Sequence, residues 1–278
     1  MAEVKEVTAK INPVNRVIVD GTGVEIAKNI PSITFMYNKY TNLGKLTEAL
    51  SKDWVNGKKR LYSSKLREYF RNVNQDVANY CIIADDIVRK DRKREDIEFF
   101  CFLYKMYPQL KSFQWKEYYY ADIAELGHEI LVGLRSGNHN TIKMLDEFIR
   151  NNLFSQRELI INRQSEILVK QVYAIEKGYC VALTDGNSIG QLTQLYMLGY
   201  LYSKSRALVT SFGCFESIQA LTDFVKMVMR KDGNVLDSYA GELIWHKKNS
   251  TESGLADEQP SPEFQAWLII QEKRDEFH

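Results

Sequence analysis

Thr41-Asn42-Leu43-Gly44-Lys45-Leu46-Thr47-Glu48-Ala49-Leu50-Ser51-Lys52-Asp53-Trp54 decides the fold class. Leu43, Leu46, Leu50 and Trp54 recur at three- and four-residue intervals and so share one face of a helix. Asn56-Gly57 supplies a stop signal. Downstream the same period returns again and again. Ser63 or Ser64 can cap a helix to about residue 72. A helix over 76–90 turns Val77, Tyr80, Cys81, Ala84, Ile87 and Val88 inward, and one over 95–107 is stopped by Pro108. The pattern then predicts a long helix over 115–134, closing at Ser136-Gly137-Asn138, and a helix capped by Thr141 with Ile142, Leu145, Phe148 and Ile149 as its stripe. A helix over 156–177 ends at Gly178. Others run from Ser188 to about residue 202, over 212–230 and over 263–275; residues 235–246 read either way.

Upstream of Thr41 the period changes. Residues 1–15 read as an extended arm. Arg16-Val17-Ile18-Val19-Asp20-Gly21-Thr22-Gly23-Val24-Glu25-Ile26-Ala27 places two β-branched runs around Asp20-Gly21, the pattern of a β-hairpin. Residues 32–37 can add a third strand, and 179–183 is the other β-like run. The expected fold is mainly α: a two-lobed helical body with a small N-terminal β-hairpin and mobile N- and C-terminal arms. Its expected parts are residues 1–40 (arm and hairpin), 41–135 (helical N-lobe), 141–249 (helical C-lobe) and 250–278 (tether and C-terminal amphipathic arm).

Bulk composition narrows the class. The chain has 278 residues, 45% hydrophobic and 26% charged, which is the balance of a globular protein with a sizeable core. Its net charge of +1 hides an asymmetry: residues 250–278 hold 2 basic against 7 acidic side chains, leaving the body basic. In that acidic end Phe264, Trp267 and Leu268 gather on one side of a short helix behind a polar, proline-containing tether, so the end is expected to dock on its own body or on a neighbour, driving self-association. Cys81, Cys101, Cys180 and Cys214 have no metal-ligand or CxxC spacing and read as buried thiols of a reducing compartment. Neither a secretory leader nor an 18-residue apolar run is present, so the expected location is cytoplasmic, with no membrane partner.

Two segments carry the binding hypothesis. The first holds Lys58, Lys59, Arg60, Lys65, Arg67 and Arg71, interleaved with Tyr62, Tyr69 and Phe70. The second holds Arg89, Lys90, Arg92, Lys93 and Arg94. Cations neutralise phosphates and aromatic rings stack on bases, so the expected partner is single-stranded nucleic acid, RNA favoured. The competing reading is solvated helix faces, with Asp91, Glu95 and Asp96 able to pair with the second segment. Ten aromatics crowd residues 99–120; on a helix, Tyr118, Tyr119 and Tyr120 cannot all be buried, so one hydroxyl should reach a surface.

Enzymatic signals are thin. Glu125-Leu126-Gly127-His128 has the ExxH spacing of di-iron bundles, but no second such motif exists. Arg135 and His139 resemble the Arg and His of HEPN-type ribonucleases, one residue short of that spacing. Asp85-Asp86 and Asp185-Gly186-Asn187 lack the ligand count of a calcium loop. No nucleotide-binding or nucleophile-elbow motif is present, so neither an enzyme nor a cofactor is expected. In architecture alone, a two-lobed helical body with a basic face and arms at both ends resembles the nucleoproteins of segmented negative-strand RNA viruses. That resemblance implies a self-associating nucleocapsid-type protein in a host cytoplasm or virion. The alternatives are a viral or phage assembly component without nucleic-acid contact and, third, a phosphate-directed nuclease using Arg135 and His139.

Overall fold

The computed structural model describes residues 18–19, 25–26, 31–162, 165–210, 213–231 and 261–275. The N-terminal arm, the Asp20-Gly21 turn, the 235–246 stretch and the 250–260 tether lie outside the described residues. The protein is mainly helical, with a small N-terminal hairpin: β1 (Ile18–Val19) pairs antiparallel with β2 (Glu25–Ile26). The chain divides into two compact units. Unit 1 comprises Met1–Leu110, Gln114–Tyr119 and Leu159–Ile161; unit 2 comprises Lys111–Phe113, Tyr120–Glu158 and Asn162–His278.

In unit 1 the expected third strand is instead the first half of a second hairpin. β3 (Ile33–Phe35) pairs with β4 (Asn38–Tyr40), register Phe35↔Asn38, around a two-residue Met36-Tyr37 turn. Five helices follow: α1 (Leu43–Lys52), α2 (Trp54–Leu61), α3 (Ser64–Val73), α4 (Gln75–Lys90) and, after a 3-10 turn (Arg92–Arg94), α5 (Glu95–Met106). The Leu43/Leu46/Leu50/Trp54 stripe is buried as its spacing requires. Gly57 does not end α1; it sits inside α2, where a Cβ would meet the Leu50 carbonyl oxygen at 2.4 Å and the Phe99 ring at 2.5 Å. α5 is apolar on nearly all sides and forms the core of the unit. Phe99, Phe100, Phe102 and Tyr104 are buried, and Trp54 meets Phe99 and Trp115 edge-on at 4.8 and 5.7 Å between centroids.

The expected long helix over 115–134 is wrong in its first part. The chain makes a hairpin of β5 (Phe113–Trp115) and β6 (Tyr118–Tyr120), turning at Lys116 with φ +53°, and only then enters α6 (Ile123–Arg135). Three consecutive tyrosines favour a strand, and Asp122 caps α6 by accepting a hydrogen bond from the Glu125 amide at 2.8 Å. Tyr119 is 50% exposed because strand side chains alternate, not because a helix carries it around.

Unit 2 continues with α7 (His139–Arg150), α8 (Leu153–Ile161, of which residues 159–161 are counted in unit 1), α9 (Glu166–Thr184), α10 (Ser188–Ser203), a hairpin of β7 (Leu208–Thr210) and β8 (Gly213–Phe215), α11 (Ile218–Lys231) and α12 (Pro262–Asp275). Five boundaries differ from expectation. Asn138 caps α7 in place of Thr141 and Asn187 caps α10 in place of Ser188, each through its side-chain oxygen. The 156–177 helix is two helices. Gly178 and the β-like 179–183 run lie within α9, which continues to the Gly186 turn at φ +67°. A β-branched run is overridden there because Val172, Ile175, Tyr179 and Ala182 already form a buried stripe at helical spacing. The expected 212–230 helix begins six residues late, because residues 213–215 pair with β7. α10, buried over most of its surface, is the centre of the unit and packs against α6, α9 and α12. Its approach to α6 is close: a Cβ on Gly127 would lie 2.3 Å from the Ser203 nitrogen.

Candidate functional site

The first basic segment occupies the end of α2 and the whole of α3. Lys58 is not a solvated cation. Its ammonium lies 2.6 Å from Asp96 and 3.2 Å from Glu95, and its side chain is 17% exposed. Burial alone would lower its pKa; the hydrogen bonds and charges of Asp96 and Glu95 outweigh that and raise it. Arg60 donates to the Thr34 carbonyl oxygen at 2.6 Å, tying α2 to the β3–β4 hairpin. Tyr62 donates to the Glu95 carbonyl oxygen at 2.9 Å. Arg67 is half-buried opposite α4: burial pushes the Cys81 thiol up to about 12, and the Arg67 charge opposes that shift. Lys59, Lys65 and Arg71 are exposed and make no ion pair among the described residues.

The second segment covers the end of α4 and the 3-10 turn. Arg89 pairs with Asp85 one turn back at 2.7 Å. Arg94 pairs with the buried Glu98 at 2.7 Å, and Tyr80 donates to the other oxygen of Glu98 at 2.6 Å. Lys90, Arg92 and Lys93 are exposed without an ion pair among the described residues.

The acidic first turn of α5 therefore joins both segments. Glu95 and Asp96 hold Lys58, Glu98 holds Arg94, and Asp96 also accepts from the Trp54 indole at 2.7 Å. This brings the last turn of α2 to the start of α5, next to the 3-10 turn. Lys59, Arg60, Arg89 and Lys90 sit in the last turns of their helices, where a cation offsets the negative end of the helix dipole and needs no ligand to explain it. Lys65 has no such explanation. It lies in the first turn of α3, at the positive end, and that turn contains no acid. Ser63, the residue before α3, does not cap it; its hydroxyl donates to the Arg60 carbonyl oxygen at 2.7 Å. Spacing could have flagged one residue the sequence reading left out, Glu98, four positions after Arg94.

Of the two nuclease candidates, Arg135 is engaged by other side chains of unit 2. The Arg135 Nε donates to Glu263 Oε1 at 2.8 Å, and its NH2 donates to the Tyr200 hydroxyl at 3.0 Å; Tyr200 in turn donates to Glu263 at 2.6 Å. His139 is exposed at the start of α7. Glu125 has a structural task, accepting from the Ala121 amide at 2.6 Å beside the Asp122 cap, and His128 is exposed. No cluster of three or more potential metal ligands exists among the described residues. Of the cysteines, Cys81 and Cys101 are buried as expected, Cys180 is half-buried and Cys214 is exposed on β8, where strand alternation turns it outward.

Phe264, Trp267 and Leu268 lie on α12 and are buried within their own chain, against α10. The Trp267 indole donates to the Arg206 carbonyl oxygen at 3.0 Å, and Arg274 donates to the carbonyl oxygens of Ser205 and Tyr200 at 3.1 and 2.8 Å. With the Arg135–Glu263–Tyr200 cluster, these bonds fasten α12 at both ends. No helix among the described residues is long and apolar enough to cross a membrane. No protein-family model, curated protein or solved structure matches this chain.

Proposed function

We propose that this chain is a non-enzymatic protein that binds single-stranded nucleic acid, RNA favoured, through the basic end of unit 1. One observation carries the reading: Lys58 and Tyr62 of the first basic segment bond to the start of α5, immediately after Arg92–Arg94 of the second. The two segments thus meet at the start of α5, and Lys59, Lys65, Lys90, Arg92 and Lys93 are exposed. The leading turn of α3 adds amides that its N-cap side chain does not satisfy, and such amides suit a phosphate oxygen. The proposed contacts are to phosphates, so binding is expected to be nearly independent of sequence. The burial of Phe264, Trp267 and Leu268 in their own chain leaves that helix no apolar face for self-association while it is docked.

Titrating salt against a single-stranded RNA tests the proposal. Each phosphate neutralised on a single strand contributes roughly −0.7 to the log–log slope, so five engaged cations give about −3.5. Replacing Lys59, Lys65, Lys90, Arg92 and Lys93 together by Ala should flatten the slope and leave the melting temperature nearly unchanged, since exposed cations contribute little to stability. Lys58 and Arg94 are kept because their loss would strand buried carboxylates. Absence of RNA binding by the wild-type chain at about 50 mM salt would refute the proposal.

A further inference from the structure

The tip of the β3–β4 hairpin is built against its own backbone preference. Met36 and Tyr37 are the two central residues of a two-residue turn and have φ of +45° and +66°. Both central residues of such a mirror-image turn must be left-handed, which is why Asn-Gly is the preferred pair there. A side chain with a Cβ at these positions is strained, and a large aromatic gains nothing in return within the chain: Tyr37 is 99% exposed. The turn is nevertheless held. Asn38 donates to the Met36 carbonyl oxygen at 3.3 Å, and Arg60, from the first basic segment, donates to Thr34 two residues before the turn begins. The surroundings are cationic. Lys39 stands across from Thr34 in the register, Lys45 follows, and no acidic residue occurs from Pro31 to Thr47.

We infer that Tyr37 is a stacking platform for an unpaired base, presented beside the phosphate-binding end of unit 1 by the Arg60-anchored hairpin. The inference rests on the proposed nucleic-acid reading and names the chemistry it lacked, a contact to bases. A planar ring on a held turn stacks on any base, so it adds affinity without adding sequence preference. The positive charge of Lys39 and Arg60 favours an anionic strand over a basic or apolar partner.

The test compares the full chain with three variants, each titrated with an oligoadenylate of about 30 nucleotides and with an abasic phosphodiester of the same length. The variants are Tyr37→Ala, Tyr37→Phe and the double change Met36→Asn with Tyr37→Gly. The wild type should bind the base-bearing strand about tenfold more tightly than the abasic one. Tyr37→Phe should retain that ratio, and Tyr37→Ala should abolish it while keeping the salt slope. The Asn-Gly turn should also abolish it, yet melt at a higher temperature than wild type, because the strain is gone. A ring with only a structural role would give the reverse, lower stability and unaltered binding. Equal affinity of wild type and Tyr37→Ala for oligoadenylate, with the salt slope intact, overturns the inference and leaves the phosphate reading standing. Loss of binding to both strands alike in Tyr37→Ala also overturns it. A wild type that binds neither strand removes the phosphate reading and this inference together.

Discussion

Asp96 in unit 1 and Glu176 in unit 2 are both carboxylates drawn into the protein, and they are treated in opposite ways. Asp96 accepts from the Trp54 indole at 2.7 Å, meets the Lys58 ammonium at 2.6 Å and has Lys116 at 4.0 Å. Burial would raise its pKa, but Lys58 and Trp54 prevail and hold the carboxyl below its ordinary value. Glu176 has no ion pair among the described residues. One oxygen accepts from the amides of Phe154 and Ser155 at 3.1 and 3.4 Å, capping α8 where Asn152, left-handed at φ +52°, supplies no side-chain cap. Its other oxygen is buried without a hydrogen bond among the described residues. Burial pushes this carboxyl up to about 7, against the pull of the Ser155 and Phe154 bonds. A matched cation makes the ionised form part of the fold; the Ser155 and Phe154 bonds do not offset burial at Glu176, and its carboxyl stays up at about 7.

The largest effect should come from breaking the matched pair. Asp96→Ala leaves Lys58 in a pocket with only Glu95 and removes the indole's acceptor. We expect a loss of about 3–5 kcal/mol in urea unfolding, with partial recovery when Lys58→Met is added. A loss under about 1 kcal/mol would mean that solvent already screens the pair and that the contrast with Glu176 is one of degree.

The unmatched carboxylate should respond with the other sign. Between pH 4.5, the ordinary glutamate value, and about 7, the folded state keeps a proton that the unfolded chain has released. Its contribution is therefore fully present below pH 4.5, declines as pH rises to 7 and is flat above. At roughly 1.4 kcal/mol per pH unit, the decline is about 3 kcal/mol. Glu176→Gln keeps an acceptor for both amides and carries no charge. It should stabilise the protein by about that amount at pH 8 and by almost nothing at pH 4.5. Equal gains at both pH values would trace the effect to packing. Asp96 has the opposite profile: its lowered pKa gives stability that is present above the ordinary carboxylate range and lost as pH falls through the folded value.

Glu263 is the intermediate case and the smallest expected effect. It shares Arg135 and Tyr200 within unit 2, with its side chain 16% exposed. Glu263→Gln should cost about 1–2 kcal/mol, since Phe264 and Trp267 keep α12 in place by burial. Hydrogen exchange should localise the loss to residues 262–275. Exchange rising throughout unit 2 would instead make this cluster a cornerstone of the unit.

Helical class, the stripe from Leu43 to Trp54 and the N-terminal hairpin were all legible in the sequence; the C-terminal helix was legible as a helix but not as one-sided, since Ala266, Trp267 and Leu268 are buried in succession. Each depends on spacing within one or two turns, and a chain of any shape displays its own periodicity. Residues 115–120 misled that reading because an apolar aromatic run fits both periods, and the choice went to a hairpin closed by one left-handed lysine. Likewise the basic residues were visible, but not which of them are occupied. Lys58 and Glu95 are 37 residues apart, and only folding shows that they meet. By itself, then, the sequence determined which segments are helical and where the cations lie. Tertiary structure alone decided that Lys58 and Arg94 are matched, that Glu176 is not, that α12 rests on its own chain and that Tyr37 faces solvent. Those outcomes turn on desolvation and on partners brought from far along the chain, and a charge's cost or value is set only once water has been removed from around it.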